Sequence, residues 1–279
     1  MIVHLVDGTY ELFRHFYGLR RVPESQRRPW SAAVGVLQTV LELIEQGATH
    51  VGVATDHVIE SFRNTLWPGY KTGAGIDAAL FAQFEPLEAG LAAMGVCVWP
   101  MVEFDADDAL ASAARLAAAD PAVDKVCLWT PDKDLAQCVV GDRVVQVDRK
   151  AKAIRDAAAV RAKFGVDPPL IPDWLALVGD AADGYPGIAG IGAIGAARLL
   201  NRYGPLERFA PQVLGERMEL ALLFRQLAIL RADVTLFHSV DALAWRGPSP
   251  SFEDWTERAQ APKLLERCRR AAEMKAVPR

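Results

Sequence analysis

The chain has 279 residues, of which 51% are hydrophobic, and a net charge of −4. That length suits one large domain or two modest ones, and the apolar share supports a packed core rather than disorder. The acidic balance gives no overall basic footprint for nucleic acid, although clustered carboxylates can mask a basic surface.

The opening MIVHLVDG has no basic stretch ahead of its apolar run, so it reads as a strand and not as a signal peptide. No run approaches the ~18 uninterrupted apolar residues of a membrane span, and the expected location is the cytoplasm. Further candidate strands are HVGVAT, VCVWP, KVCLWT and RVVQV. Helix-like segments lie between them: SAAVGVLQTVLELIEQG, AALFAQFEPLEAGLAAM, ADDALASAARLAAA and DLAQCVV. This alternation predicts an α/β fold with a mostly parallel sheet flanked by helices. Past residue 165 the strand signals fade, and RMELALLFRQLAILRAD and APKLLERCRRAAEMK are helical in pattern. The Pro-rich GVDPPLIPD (165–173) marks the expected boundary between a domain at 1–165 and a helical one at 166–279. Cys97, Cys127, Cys138 and Cys268 show no C-x-x-C pairing and read as free thiols in a reducing compartment.

The acids fall where strands stop. IVHLV ends at Asp7, HVGVAT at Asp56 and KVCLWTP at Asp132, with Asp134 two residues on. After VCVWP, the segment MVEFDADDALA places Asp105, Asp107 and Asp108 at a helix start. Ligands of an open parallel sheet bind at the carboxyl ends of its strands, so these segments deliver their carboxylates to one edge. Each acid alone has a plain structural explanation, as an N-cap or as a partner of a helix dipole. Together they would repel unless cations neutralised them. Oxygen ligands without histidine or cysteine suit Mg²⁺ or Mn²⁺ rather than zinc, and the five histidines lack metal-ligand spacing. A pair of such ions fits phosphoryl chemistry. An aspartyl-nucleophile phosphatase is excluded, because LVDGTYELF puts Leu5 at the nucleophile position.

Gly190, Gly192 and Gly195 in GDAADGYPGIAGIGAIGAARLL have the G-x-G-x-x-G spacing of a dinucleotide-binding turn. That fingerprint requires a preceding strand. Here a short helix and a turn rich in Asp, Gly and Pro come first, so the glycines point to another phosphate.

In this order the motifs resemble the 5′→3′ exonuclease and flap endonuclease family, which includes the N-terminal nuclease domain of bacterial DNA polymerase I and stand-alone phage enzymes. The resemblance rests on VDG…FR (Asp7, Arg14), ATDHVIESFRNTLWPGYK (Asp56, Arg63, Tyr70, Lys71), FDADDALA, TPDKDLAQ and the glycine block. It implies a PIN-like domain with an arch near 64–90, and a helix–three-turn–helix element at about 172–204. It implies one metal site from Asp7, Asp56, Asp105, Asp107 and Asp108, and a second from Asp132, Asp134, Asp180 and Asp183. Lys71 and Arg14 would be catalytic. Arg63, Tyr70, Gly190, Gly192 and Gly195 would contact DNA, and Tyr10 and Tyr17 would stack on terminal bases or pack in the core. The expected cofactors are two divalent cations, Mg²⁺ or Mn²⁺, with K⁺ in the hairpin. The expected partner is DNA with 5′ flaps, ends or nicks, bound by a monomeric stand-alone enzyme with no membrane.

Several positions depart from the family pattern. Asp105 replaces the usual Glu, Ala74 an arch Arg, Ala182 and Gly184 the hairpin Ser and Asn, and Ile194-Gly195 a Lys-Thr pair. A PIN-type ribonuclease and a non-catalytic binder of DNA structures are the rival readings.

Overall fold

The computed structural model describes residues 1–19 and 28–276. In chain order the elements are β1 (Ile2–Asp7), α1 (Gly8–Gly18), α2 (Ser31–Glu45), β2 (His50–Asp56), α3 (Arg63–Leu66), α4 (Ala78–Phe81), α5 (Phe84–Ala93), β3 (Cys97–Met101) and α6 (Ala106–Ala119). They continue as β4 (Lys125–Trp129), β5 (Val144–Asp148), β6 (Ala153–Arg155), α7 (Ala157–Phe164), α8 (Ile171–Val178), α9 (Ala193–Tyr203), α10 (Pro211–Leu214), α11 (Met218–Ala228), α12 (Ser251–Arg258) and α13 (Pro262–Ala276).

The strands form one sheet in the order β3-β2-β1-β4-β5-β6. The first five run parallel, and β6 joins the edge antiparallel, with Gln146 opposite Arg155. All five expected strands are present; β6 is the unexpected addition. Side chains of β1 alternate between two cores. Val6 joins Leu12, α2 and α5 on one face, while Val3 and Leu5 join α6 on the other. A third apolar core gathers α7 to α11 and includes Tyr70, Ala136 and Val139 from the first half of the chain.

The structure departs from the expected elements at three places. Pro86, which has no N–H for the Ala82 carbonyl, divides the segment 78–94 into two helices, α4 and α5, at Gln83. Gln83 Oε1 accepts from the amides of Ala32 (2.9 Å) and Ala33 (3.2 Å), capping α2, whose own N-cap residue Trp30 provides no side-chain cap. DLAQCVV forms a short 3₁₀ turn over Asp134–Cys138. Finally, the stretch from Val240 onward does not stay with the helical half. Trp245, Phe252, Trp255, Leu264 and Cys268 are buried in the core of α2 and α5, and the Trp245 amide donates to the Thr49 carbonyl at 2.8 Å. Among the described residues, no helix is long and apolar enough to cross a membrane.

Candidate active site

The carboxyl edge of the sheet collects the acids, and each is held by identifiable neighbours. Asp7, at the end of β1, caps α1 by accepting from the Tyr10 amide (2.8 Å), and its Oδ2 accepts from the Thr130 hydroxyl (3.0 Å). Asp56, at the end of β2, accepts from the Ala106 amide at 2.7 Å, which ties it to the start of α6. Asp105 is the N-cap of α6. Its Oδ2 accepts from Arg63, from Ser61 (3.2 Å) and from the Tyr70 hydroxyl (3.3 Å). Asp107 lies in the first turn of α6. After β4, Asp132 accepts from the Asp134 amide at 3.0 Å. Asp180 and Asp183 lie in the loop between α8 and α9, where Asp180 pairs with Lys133 at 2.8 Å.

Two groups emerge. Asp134, Asp180 and Asp183 each bring a carboxylate oxygen within 4.8 Å of the others, and among the described residues no other cluster of three or more acids, histidines or cysteines does so. Asp7, Asp56, Asp107 and Asp132 form a looser group, linked by mutual repulsion. Burial first, then the charges of Asp132 and Asp56, push the Asp7 carboxyl up to about 7. Burial, then Asp132 and Asp7, holds Asp107 well above the ordinary range. Asp134 is raised by burial and then by Asp132, Asp183 and Asp180, and Asp183 is pushed up to about 6, chiefly by burial.

Lys71 stands between the groups. Its Nζ is 3.6 Å from Asp105 Oδ1 and 3.7 Å from Asp183 Oδ1. Burial alone would depress the ammonium, but Asp56, Asp105 and Asp183 outweigh it and hold its pKa well above the ordinary lysine value. The backbone fixes this placement: the Lys71 amide donates to the Asp183 carbonyl (3.0 Å) and Trp67 Nε1 to the Gly184 carbonyl (3.1 Å). Gly184 has φ +81, and a Cβ there would run into the Gly69 carbonyl oxygen. Glycine at this departure from the family pattern is therefore what lets the two loops touch.

Four expected roles are corrected. Asp108 turns to Arg63, which it shares with Asp105, instead of joining Asp7, Asp56 and Asp107: both of its oxygens accept from Arg63 at 2.7 Å, and Oδ1 also accepts from the Arg231 amide at 2.8 Å. Arg63 is 0% exposed, so it cannot reach DNA; it also donates to the carbonyls of Leu227 and Ile229. Tyr70 is buried with its hydroxyl on Asp105, so it holds a carboxylate rather than stacking on a base. Arg14 sits two turns into α1, bound to Glu11, His15 and Thr39, and makes no contact with the aspartates. Sequence reasoning missed Ser61, Thr130 and Lys133, which hold Asp105, Asp7 and Asp180. The S-F-R and T-x-D-K-D motifs contained all three.

No strand precedes the glycine block; α8 does. Gly190 has φ +82, Gly192 is the N-cap of α9 without a side-chain cap, and Gly195 lies in the first turn. Around Gly190 and Gly192 there is open space where a Cβ would stand. Main-chain amides can therefore approach a phosphate closely at the N-terminus of α9.

The donor set suits hard divalent cations, and the structure offers a direct test of fit. Asp134 Oδ1 is buried without a hydrogen-bond partner, and Asp105 Oδ1 has only the Lys71 ammonium, at 3.6 Å. Buried carboxylate oxygens without donors are expensive, and a cation is the partner this acidic setting admits.

Two family models match the chain in tandem: "5'-3' exonuclease, N-terminal resolvase-like domain" over residues 2–165 and "5'-3' exonuclease, C-terminal SAM fold" over residues 166–251. DNA polymerase I of Pseudomonas aeruginosa is 34% identical over 259 residues, covering 86% of this chain and 28% of its own length. A 5′-3′ exonuclease of Aquifex aeolicus is 30% identical over 207 residues, covering 74% of this chain and 71% of its own. The chain thus spans less than a third of the DNA polymerase I relatives, 28%, 23% and 29% for three of them. The bacteriophage T5 D15 flap endonuclease, in a pseudo-enzyme-product complex with DNA and metal ions, superposes with a TM-score of 0.67 at 19% identity, covering 98% of this chain and 100% of that one. Flap endonuclease-1 from Methanococcus jannaschii gives 0.65 at 16% identity, covering 99% and 93%. These structures share the fold: a mostly parallel sheet flanked by helices, continued by a helical C-terminal part. The chain belongs to the 5′-3′ exonuclease family.

Proposed function

We propose that the chain is a divalent-cation-dependent 5′ nuclease that hydrolyses phosphodiester bonds in DNA bearing 5′ flaps or ends, acting in the cytoplasm as a monomer during replication or repair. The observation that carries this reading is Lys71, whose ammonium lies within 4 Å of Asp105 and of Asp183, beside a cluster whose Asp134 Oδ1 is buried without a hydrogen-bond partner. Asp134, Asp180 and Asp183 would hold one Mg²⁺ or Mn²⁺. Asp7, Asp56, Asp105 and Asp107 would hold the other, Asp108 being taken out of that role by its pairing to Arg63, and Asp132, expected with the first cluster, would stand between the two, its charge acting on Asp7, Asp107 and Asp134 alike. Bound there, the ions would supply Lewis acidity toward the scissile phosphate and its water nucleophile.

The remaining work falls to the chain's own groups. Lys71 stays protonated and offsets negative charge that grows on the phosphate, an effect commonly worth ~10²–10³ in rate. The amides at Gly190, Gly192 and Gly195 position the duplex by its phosphates, without reading sequence. Ile194, 86% exposed beside them, takes the place of a cation, so binding should be less salt-dependent than a lysine there would make it. The Ala189 carbonyl in this hairpin already accepts from Arg217 Nη1 at 3.1 Å. K⁺ would add to that arrangement, and cleavage in KCl against NaCl at equal ionic strength tests it.

The decisive experiment incubates the protein with a 5′-flap DNA oligonucleotide in Mn²⁺, Mg²⁺ or EDTA, beside an RNA-flap control and the Asp132→Asn/Asp134→Asn variant. Cleavage of the DNA flap by the native protein alone, and only with a divalent ion, is expected. Tight flap binding with no cleavage in any ion would overturn the reading.

A further inference from the structure

Tyr185 closes the turn that carries two of the clustered acids. Its amide donates to the Asp180 carbonyl (3.0 Å), and the Asp180 amide donates back to its carbonyl (2.9 Å). The ring packs on Phe224 of α11 with centroids 5.6 Å apart, and Phe224 meets Trp67 edge-on at 5.3 Å. This aromatic stack connects the acid-bearing turn to the loop that carries Lys71. The residue is 1% exposed, yet its hydroxyl has no hydrogen-bond partner.

Buried hydroxyls are rarely left unpaired, and each exception calls for an explanation. Here the explanation lies next to it. The charges acting on the phenol, after burial, are those of Asp134, Asp183, Asp180 and Asp132, and all of them keep it protonated. Asp134 Oδ1 is likewise buried and unpartnered. A donor without an acceptor and an acceptor without a donor thus border one cluster of carboxylates. Packing against Phe224 needs only the ring, so a phenylalanine would serve the core equally well.

We infer that Tyr185 is a positioning residue of the Asp134, Asp180 and Asp183 cluster: its O–H donates to a ligand oxygen of a divalent cation held there and fixes the orientation of that ligand. The inference rests on the cation-binding reading above and extends it to a residue outside the acids themselves. Groups that orient metal ligands typically change affinity by ~10–100-fold when removed.

The test compares native protein, Tyr185→Phe and Asp134→Asn by Mn²⁺ titration calorimetry without DNA, and by thermal melting in EDTA. Tyr185→Phe is expected to bind Mn²⁺ roughly tenfold more weakly, while melting in EDTA at the native temperature or above. A purely structural tyrosine would show the reverse: a lower melting temperature and native Mn²⁺ affinity. Native affinity in Tyr185→Phe, with loss of binding in Asp134→Asn, would overturn the inference and leave the metal site standing. Native affinity in Asp134→Asn would remove the metal site itself, and the inference with it.

Discussion

Asp107 and Asp108 are neighbours in sequence, and in the structure they do opposite things. Consecutive residues on a helix point about 100° apart, so the D-D pair at the start of α6 sends its carboxylates in different directions. Asp107 faces the other acids, whereas Asp108 turns inward to Arg63, which is fully buried with it. Nothing in the linear sequence marks which of the two turns inward, because Arg63 lies 45 residues away. The positions of Asp7, Asp56 and Asp132 were legible because each follows a short apolar run that can only be a strand. Removing one partner of a buried, hydrogen-bonded pair strands a charge and commonly costs ~3–5 kcal/mol, whereas replacing both with apolar groups is far milder. Arg63→Met should therefore lower stability by at least that amount in urea denaturation, and Arg63→Met/Asp108→Leu should recover only part of it, because Asp105 also loses its Arg63 donor. An arginine that served DNA instead would leave stability nearly unchanged in the single variant and would flatten the salt dependence of binding.

At the scale of elements, the parallel strands and their helices followed from hydrophobic periodicity, while most of the exceptions were decided by distant partners. Pro86, which cannot donate to the Ala82 carbonyl, is a local signal for the split between α4 and α5 that periodicity alone passes over, whereas the capping of α2 by Gln83 has no local signal. β6 spans only Ala153–Arg155 and has no alternation to read. The contact between the Trp67–Lys71 loop and the Asp183–Gly184 turn was also invisible, although its requirement was written as a glycine where the family pattern has Asn. Gly184→Ala should strain a positive-φ position and push the two loops apart. A displacement of about 1 Å at a reacting group can cost ~10²-fold in rate. Single-turnover flap cleavage by this variant is expected to drop by at least tenfold, with little change in duplex affinity, since the α9 amides are untouched. Cleavage at the native rate would show that Lys71 does not depend on this contact.

Across the whole molecule, the acidic edge makes the metal-free protein sensitive to pH in an unusual direction. Asp7 and Asp183 titrate at about 7 and about 6 in the fold, and Asp107 and Asp134 are also raised, against ~3.9 in an unfolded chain. The folded state therefore holds more protons than the unfolded one between those values, so stability falls as pH rises from about 4 through 7. Divalent cations offset the same repulsion once the carboxylates ionise. Melting in EDTA should fall from pH 5 to pH 8, and Mn²⁺ should raise the melting temperature more at pH 8 than at pH 5. A metal-free melting temperature that climbs over that range would contradict the crowding of these acids.

The path of the tail sets where attachments can be made. Residues between Trp245 and Ala271 pack back on α2 and α5, and Lys275 Nζ donates to the Ala48 carbonyl just ahead of β2. Asp56 lies at the other end of that strand, eight residues on from Ala48, or roughly 25 Å at the usual rise per residue. A fluorophore, affinity handle or surface tether attached at the exposed Met274, beside Lys275, would stand at the end of the sheet remote from the carboxylates. The protein can thus be immobilised through this face of α13 with its acidic edge left open to solvent.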